Sequence, residues 1–470
     1  MTKRMLRAAL IAAAAVALGT GTAGAITPAN GGDAGGTTTT INNGPGDQTE
    51  PHVSGDLVAY TDKDFVAGSR IHYVDLGTGI DQVVPAGAPG DSDNLSDVGD
   101  GRIVFSRTRA SDGKTAAMFF DVATGTLREL DPQAAATPMN RFGTVIGGGT
   151  VAYDELEVGN GDIFAYDLAT ATATNLSQSL DLEGNPAVAP AGNAVVWERC
   201  VGSNCGIYRS VNTGSGFGSP ELVSDTPSNE GNPDTDGTTV VYDSERPSLT
   251  GKDIYFQPLT GGTETELQLL GDQRNPSINS GVIAFESHPG TSWDLYVYLI
   301  SSNTLLQVTN TPSTDEVLND VTVLANGDVR VVWAANPVAG TDHDIYARTF
   351  SLPATGVFTA AVQQPINADG SSVFKAGKGV VPVKFSLAVD GVPTCTLPAA
   401  TIALTRFTGA VTAPVNESEF VMPADSDSSF RINSCQYVYN LSLKSLSAGT
   451  YRVEIKIGGQ VVGSANFELR

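Results

Sequence analysis

The sequence predicts an all-β chain, a seven-bladed β-propeller followed by a small Ig-like β-sandwich. Three observations lead there. A short apolar run closing on one aromatic ring recurs over some 300 residues; turn-forming residues cut each recurrence into strand-length pieces; and beyond residue 352 the pattern changes to plain apolar/polar alternation. A fixed recurrence of this length signals a repeat architecture. Radial repetition of four-stranded antiparallel units is the arrangement that leaves only short, protected sheet edges.

The clearest copy of the run is Asn193-Ala194-Val195-Val196-Trp197-Glu198. The others lie at 57–60, 103–105, 151–153, 240–242, 282–285 and 329–333. Their rings are Tyr60, Phe105, Tyr153, Trp197, Tyr242, Phe285 and Trp333, at spacings of 45, 48, 44, 45, 43 and 48. A third strand follows in most units, introduced by Asp162, Gly206, Asp253, Asp294 or Asp344, and turns such as Thr260-Gly261-Gly262 lead to the last strand. Glycine supplies the positive φ these hairpins require. The seventh unit runs out after its third strand, near Phe350, while Thr37-Thr38-Thr39-Thr40-Ile41 stands before the first unit as an orphan strand. Pairing the two would close a ring of seven. Six or eight blades are the competing counts, because units two and three are irregular.

At the N-terminus Lys3, Arg4 and Arg7 precede an apolar run at 8–18 and Ala23-Gly24-Ala25, the order of a secretory signal with its small-residue cleavage site. The run is too short to span a bilayer. The expected division is therefore a signal peptide at 1–25, a flexible Gly/Pro/Asn-rich leader at 26–36, the propeller at 37–352 and the sandwich at 353–470. The expected product is secreted, soluble, without membrane insertion, and monomeric. Four cysteines in an exported chain point to disulfides, Cys200 with Cys205 across a hairpin-sized loop and Cys395 with Cys435. Zinc is the alternative, but the spacings lack its paired short knuckles. Residues 26–352 carry 15 Lys and Arg against 43 Asp and Glu, whereas 353–470 carry 9 against 8. So acidic a surface repels phosphate backbones, which argues against nucleic acid as a partner.

The repeat, with Asn185-Pro186, Asn232-Pro233 and Asn275-Pro276 ahead of the aromatic strand and Asp253-Ile254-Tyr255 and Asp344-Ile345-Tyr346 in the third strand, resembles the TolB-type propeller repeat. Proline is missing from that place in units two, three and seven. The resemblance covers 37–352 and implies a fold; its members include binding proteins, lyases and protease propellers, so it implies no single activity. Beyond it, Phe374-Lys375-Ala376-Gly377-Lys378 and Val381-Pro382-Val383-Lys384-Phe385, with the cysteine pair and the final Phe467-Glu468-Leu469-Arg470 strand, resemble the PxKF domain of secreted bacterial proteins. That resemblance implies an attachment or accessory role. Leu352-Pro353-Ala354-Thr355-Gly356 spells a sortase signal, but 114 residues follow it, and it reads as a linker.

Candidate chemistry is sparse. Propeller lyases acting on uronates hold a divalent metal with clustered histidines, and His52, His288 and His343 would fall in neighbouring blades one, six and seven, where one face could gather them. None stands in a tight two-histidine spacing, as His72 does not either. There is no Gly-x-Ser-x-Gly elbow. Asn232-Pro233-Asp234-Thr235-Asp236-Gly237 partly matches a calcium loop, but its place in the repeat makes it a hairpin turn. In a four-strand meander the second-to-third loops and the blade connections share a face, and there the acids concentrate: Asp93, Glu155, Glu183, Glu198, Glu230, Glu286 and Glu316 among them, with Arg107, Arg199, Arg246 and Arg274 interspersed. The expected function is extracellular binding of a protein or cell-envelope glycan through that acidic loop face, with no catalytic residue, metal or cofactor assigned. A metal-dependent polysaccharide lyase or other glycan-active enzyme is the alternative.

Overall fold

The computed structural model describes residues 24–470 except 64–67, 131–139, 158–159, 225, 247–250, 313, 337–341, 353–357, 390, 396–399, 408–413, 419, 427, 434 and 458–459. Every regular element among them is a strand. The chain divides into two compact units, Met1–Ser351 and Leu352–Arg470. No helix of the described residues is long and apolar enough to cross a membrane.

In the first unit, antiparallel four-stranded meanders follow one another in chain order. Sheet 1 runs from Asp47–Ser54 to Ile80–Val83, sheet 2 from Ser92–Gly99 to Thr126–Glu129, and sheet 3 from Asn140–Gly147 to Thr172–Asn175. Sheet 4 begins at Leu182–Val188, sheet 5 at Glu230–Thr235, sheet 6 at Asp272–Asn279 and sheet 7 at Glu316–Val323. Sheet 7 has three strands of its own. Its fourth is Thr37–Asn42, antiparallel to Asp344–Ser351. The orphan strand and the truncated seventh unit therefore complete each other, and an N-terminal strand locks the C-terminal sheet of the same unit.

The sheets hold together through the aromatic run. The six rings from Tyr60 to Phe285 are fully buried and Trp333 nearly so. Each lies in the second strand, flanked by β-branched residues, so the strand buries both faces, as a central strand between packed sheets must. The cores form between successive sheets: Ile71 and Ile103, or Val241 and Ile283, share one cluster. Val53 and Val58 of sheet 1 pack with Val332 and Ala347 of sheet 7, which joins the ends.

The leader departs from expectation. Residues 26–36 are not a loose tail: Ala29–Asp33 runs parallel to Thr304–Gln307 on the outer edge of sheet 6, and Gly24–Ile26 runs parallel to Thr265–Leu267 on sheet 5. Composition misled here because edge pairing uses backbone N–H and C=O groups, which a Gly/Asn-rich segment offers as well as any other. Residues 1–23 lie outside the described residues.

The second unit is a two-sheet sandwich. One sheet orders Phe358–Gln363, Val380–Val389, Gln436–Ser442 and Arg431–Asn433; the other orders Val373–Phe374, Gln460–Leu469, Gly449–Ile457 and Ala400–Phe407. Tyr451, Val453, Ile455 and Ile457 alternate inward and meet Val381, Val383 and Phe385 from the facing sheet. The alternation read from the sequence is thus the buried face of each strand. Both cysteine pairs form as expected, with Cα–Cα separations of 4.0 Å for Cys200–Cys205 and 4.8 Å for Cys395–Cys435, and no cysteine is free. The Leu352–Gly356 motif lies almost wholly outside the described residues.

Candidate functional site

The first strand of every sheet carries an irregularity at one place. Its register against the second strand slips between Thr49 and His52, Leu95 and Asp97, Phe142 and Val145, Gly184 and Ala187, Gly231 and Asp234, Arg274 and Ser277, and Leu318 and Asp320. At five of these the chain enters the left-handed region, at Glu50, Gly143, Asn185, Asn232 and Asn275, with φ between 49° and 54°. Asparagine tolerates that conformation better than most residues, and the proline after it is free of a ladder hydrogen bond at the bulge. A bulge re-aims the side chains that follow it. Here it turns His52, Asp97, Val145, Ala187, Asp234, Ser277 and Asp320 toward one shared cavity of about 490 Å³.

All first strands therefore surround one channel. The larger unit is a β-propeller. A second cavity of about 110 Å³ lies toward the first-to-second strand turns and shares Asp97, Asp234 and Asp320 with the larger one. These three carboxyls form the neck between the two mouths.

Each neck aspartate clamps two blades. Asp97 accepts from its own neighbour Val98 N at 2.6 Å and from Ile146 N of the next blade at 2.8 Å. Asp234 does the same with Thr235 N and Ile278 N, both at 2.7 Å. Asp320 accepts Val321 N at 2.7 Å and, across the ring closure, Val53 N at 2.9 Å. His52 stands between two of them, its Nδ1 3.6 Å from Asp97 Oδ1 and 3.8 Å from Asp320 Oδ2. Ligand-capable atoms of His52, Asp97 and Asp320 all lie within 4.8 Å of one another.

Burial raises Asp320 to about 7 and Asp97 well above the usual carboxylate range, with the Asp234 charge adding to both. Burial lowers His52 to about 4. A neutral imidazole thus faces the Asp320 carboxyl, which holds its proton up to about pH 7, and a cation entering the neck would displace that proton. The stability consequences have opposite signs. The Asp320 contribution is full below about pH 4 and is lost as pH rises through 7; the His52 contribution is present above 6.5 and is lost as pH falls through 4. Asp320→Asn removes the first. Its stability relative to the parent should improve by about 3 kcal/mol between pH 4.5 and pH 8 in denaturant unfolding; a difference independent of pH contradicts this reading.

The acidic loop face is largely consumed internally. Glu198 Oε1 accepts Asn185 Nδ2 at 2.8 Å and Asn232 N of the next blade at 2.7 Å. Asp243 repeats this with Asn232 Nδ2 and Asn275 N, and Glu286 with Asn275 Nδ2 and Leu318 N. One rung outward, arginines meet four further acids: Arg107 with Asp93 at 2.6 Å, Arg141 with Glu155 at 2.9 Å, Arg199 with Glu183 at 2.6 Å and Arg246 with Glu230 at 3.3 Å. These carboxylates are paired: Glu198, Asp243 and Glu286 bridge successive blades, and the four arginine pairs each lie within one blade. Chain order places them at one end of the ring but cannot show whether they point into it.

The histidines do not gather. His52 is in the channel; His343 Nδ1 is 2.8 Å from Asp47 Oδ1; His72 lies 3.1 Å from Asp81; His288 packs on Trp293, ring centroids 5.0 Å apart. The Asn232–Gly237 stretch ends the first strand of sheet 5 and enters the hairpin turn to the second: Asp236 Oδ1 accepts Thr238 N and Thr239 N at 2.8 Å, and Oδ2 accepts Gly281 N at 2.8 Å. What the sequence reading missed is the neck. Its signal was present only in part: the residues two places beyond Glu50, Asn185, Asn232 and Asn275 face the channel, and of the neck carboxyls only Asp234 is among them, while the period of a strand assigns a residue to a face only if the bulge is known.

No family model matches the chain, and no curated protein does. Among solved structures the chain is similar to the β-propeller domain of the Trilobed protease from Pyrococcus furiosus, with 11% identity and a TM-score of 0.47 over 64% of this chain and 92% of that one. It is similar to puromycin hydrolase with 16% identity and a TM-score of 0.48, over 77% of this chain and 62% of that one. The putative TolB from Agrobacterium tumefaciens gives 14% identity and a TM-score of 0.39, over 66% and 93%. These are likenesses of fold.

Proposed function

We propose that the chain is an exported binding protein whose propeller takes its ligand in the central funnel. The observation that carries this is the channel itself: a cavity of about 490 Å³ ending on His52, Asp97, Asp234 and Asp320. Convergent polar groups at the floor of a concave site are the usual marks of a binding pocket. Carboxyls that shed protons to a cation favour a positively charged group, as on a segment of an extracellular or envelope protein; an envelope glycan is the other partner class. The sandwich serves as an attachment module, the role its resemblance to the PxKF domain implies.

The test fills the funnel without touching the neck. Val145→Trp and Ala187→Trp should each leave the melting temperature within a few degrees and abolish retention of the partner from an envelope fraction. Retention equal to the parent's would send the site elsewhere.

The second reading, a metal-dependent glycan-active enzyme, draws on the grouping of His52, Asp97 and Asp320. Stoichiometric uptake of a divalent ion together with polyuronate cleavage, both lost in His52→Gln, would favour it over binding.

A further inference from the structure

Where blades 6 and 7 meet, a cavity of about 390 Å³ is lined by Glu316, Trp333, Ala335, Tyr346 and the segment 308–311. Its meaning comes from the same place in the other blades. There a first-strand acid stands opposite an arginine of the second strand: Asp93 is registered with Arg107 and Glu183 with Arg199, while blade 3 carries the pair reversed, Arg141 with Glu155. In blade 5 Glu230 takes Arg246, two residues beyond its register partner. The guanidinium lies over an aromatic ring in each case, at 4.2 Å from the third-strand rings Tyr208 and Tyr255 in blades 4 and 5. It also reaches the end of the preceding blade, as Arg199 Nη2 does to Ser177 O at 3.3 Å.

Blade 7 keeps every part of this arrangement but the cation. Glu316 occupies the place of Glu183, and its register partner is Ala335, where Arg199 stands in blade 4. Tyr346 pairs with Trp333 as Tyr208 pairs with Trp197, and the rings stack at 5.8 Å. Thr309 accepts Leu295 N at 2.8 Å, as Ser177 accepts Ile163 N at 2.9 Å, so the preceding blade's end is also conserved in form. Thr311 Oγ1 donates to Glu316 Oε1, matching Ser179 on Glu183. Glu316 is 2% exposed, its Oε2 has no hydrogen-bond partner, and no cation pairs with it among the described residues. Blades 1 and 6 also lack the arginine, but blade 6 has Gln273 opposite Ser287, and in blade 1 the acid, Asp62, takes the amide of Gln48 opposite it at 3.1 Å and lies 3.6 Å from His72.

We propose that this cavity is a binding site for the guanidinium of an arginine side chain or a small guanidine, held between the Glu316 carboxylate and the Trp333–Tyr346 platform. A buried carboxylate and an aromatic face together suit a planar, weakly hydrated cation better than a compact ammonium. Arg348, which borders the cavity, is not its occupant: Nε donates to Gly35 O at 2.7 Å, Nη1 to Val308 O, and Nη2 pairs with Asp33 at 2.8 Å. Burial holds Glu316 up at about 7, so a guanidinium supplies the countercharge its ionised form lacks.

The experiment is calorimetric titration of the full chain at pH 8 with N-acetyl-arginine amide and with methylguanidine, each against the parent, Glu316→Gln and Ala335→Arg. The expected result is one saturable site in the parent, at least tenfold weaker in Glu316→Gln. In Ala335→Arg the introduced arginine completes the pattern of blade 4, so binding should vanish while the melting temperature rises. Equal affinity for the two probes assigns the site to small guanidines; preference for the arginine amide assigns it to a peptide. Binding that survives in Ala335→Arg, or no saturable binding by the parent, overturns the proposal. Because the channel is untouched by these variants, failure here leaves the funnel reading standing, and loss of funnel binding leaves this site intact.

Discussion

Asp243→Ala should destabilise the propeller by about 3–5 kcal/mol, the cost typical of removing one partner from a buried charged network. Asp243 is fully buried in the second strand of blade 5. One oxygen pairs with Lys252 Nζ at 2.7 Å; the other accepts Asn232 Nδ2 at 2.8 Å and, from blade 6, Asn275 N at 3.0 Å. Alanine strands the ammonium, the side-chain amide and the backbone N–H at once. Two of those groups fix bulges, so the channel wall should loosen with the blade contact. In a propeller of this size each kcal/mol moves the melting temperature by roughly 2–4 °C, and a fall of about 10 °C by calorimetry is expected. Asp243→Asn, which keeps one acceptor, should lose clearly less. If alanine and asparagine cost the same, and little, the clamp is not a stabilising element.

Replacing Cys395 and Cys435 together by serine should cost the second unit about 4 kcal/mol, the loop-closure value for a ring of this size. The bond joins positions 40 residues apart and sits beside Arg431–Asn433 and Gln436–Ser442 in one sheet. In so small a unit the shift is correspondingly large, about 15 °C or more. The Cys200–Cys205 bond, only five residues apart, should contribute about 2 kcal/mol to the propeller. The two units offer two transitions, and the variants should divide between them: Asp243→Ala moves the propeller's, the Cys395/Cys435 double serine moves the sandwich's. A single transition shifted alike by both would contradict independent units.

Much of the fold was legible in the chain. The rings from Tyr60 to Trp333 all occupy buried second strands, because a run of β-branched residues closing on an aromatic has no amphipathic alternative and must be covered on both faces. Thr37–Asn42 could be matched with Asp344–Ser351 from two incomplete ends alone. Less of the site was legible. Glu198 and Glu286 read as rim carboxylates yet point between blades, and His52, read as one of three histidines that a face could gather, stands in the channel without the other two.

Local periodicity and cysteine placement determined strands, repeat, ring closure and disulfide pairing, since these follow from which residues must be hidden and how far apart they lie. The tertiary structure alone decided direction. A one-residue slip at each first strand turns Asp97, Asp234 and Asp320 into a shared neck, and the same register leaves Ala335 opposite Glu316. Side chains in a strand alternate with period two, so a single bulge reverses inside and outside beyond it, and only the assembled ring shows which acids meet arginines and that Glu316 meets none among the described residues.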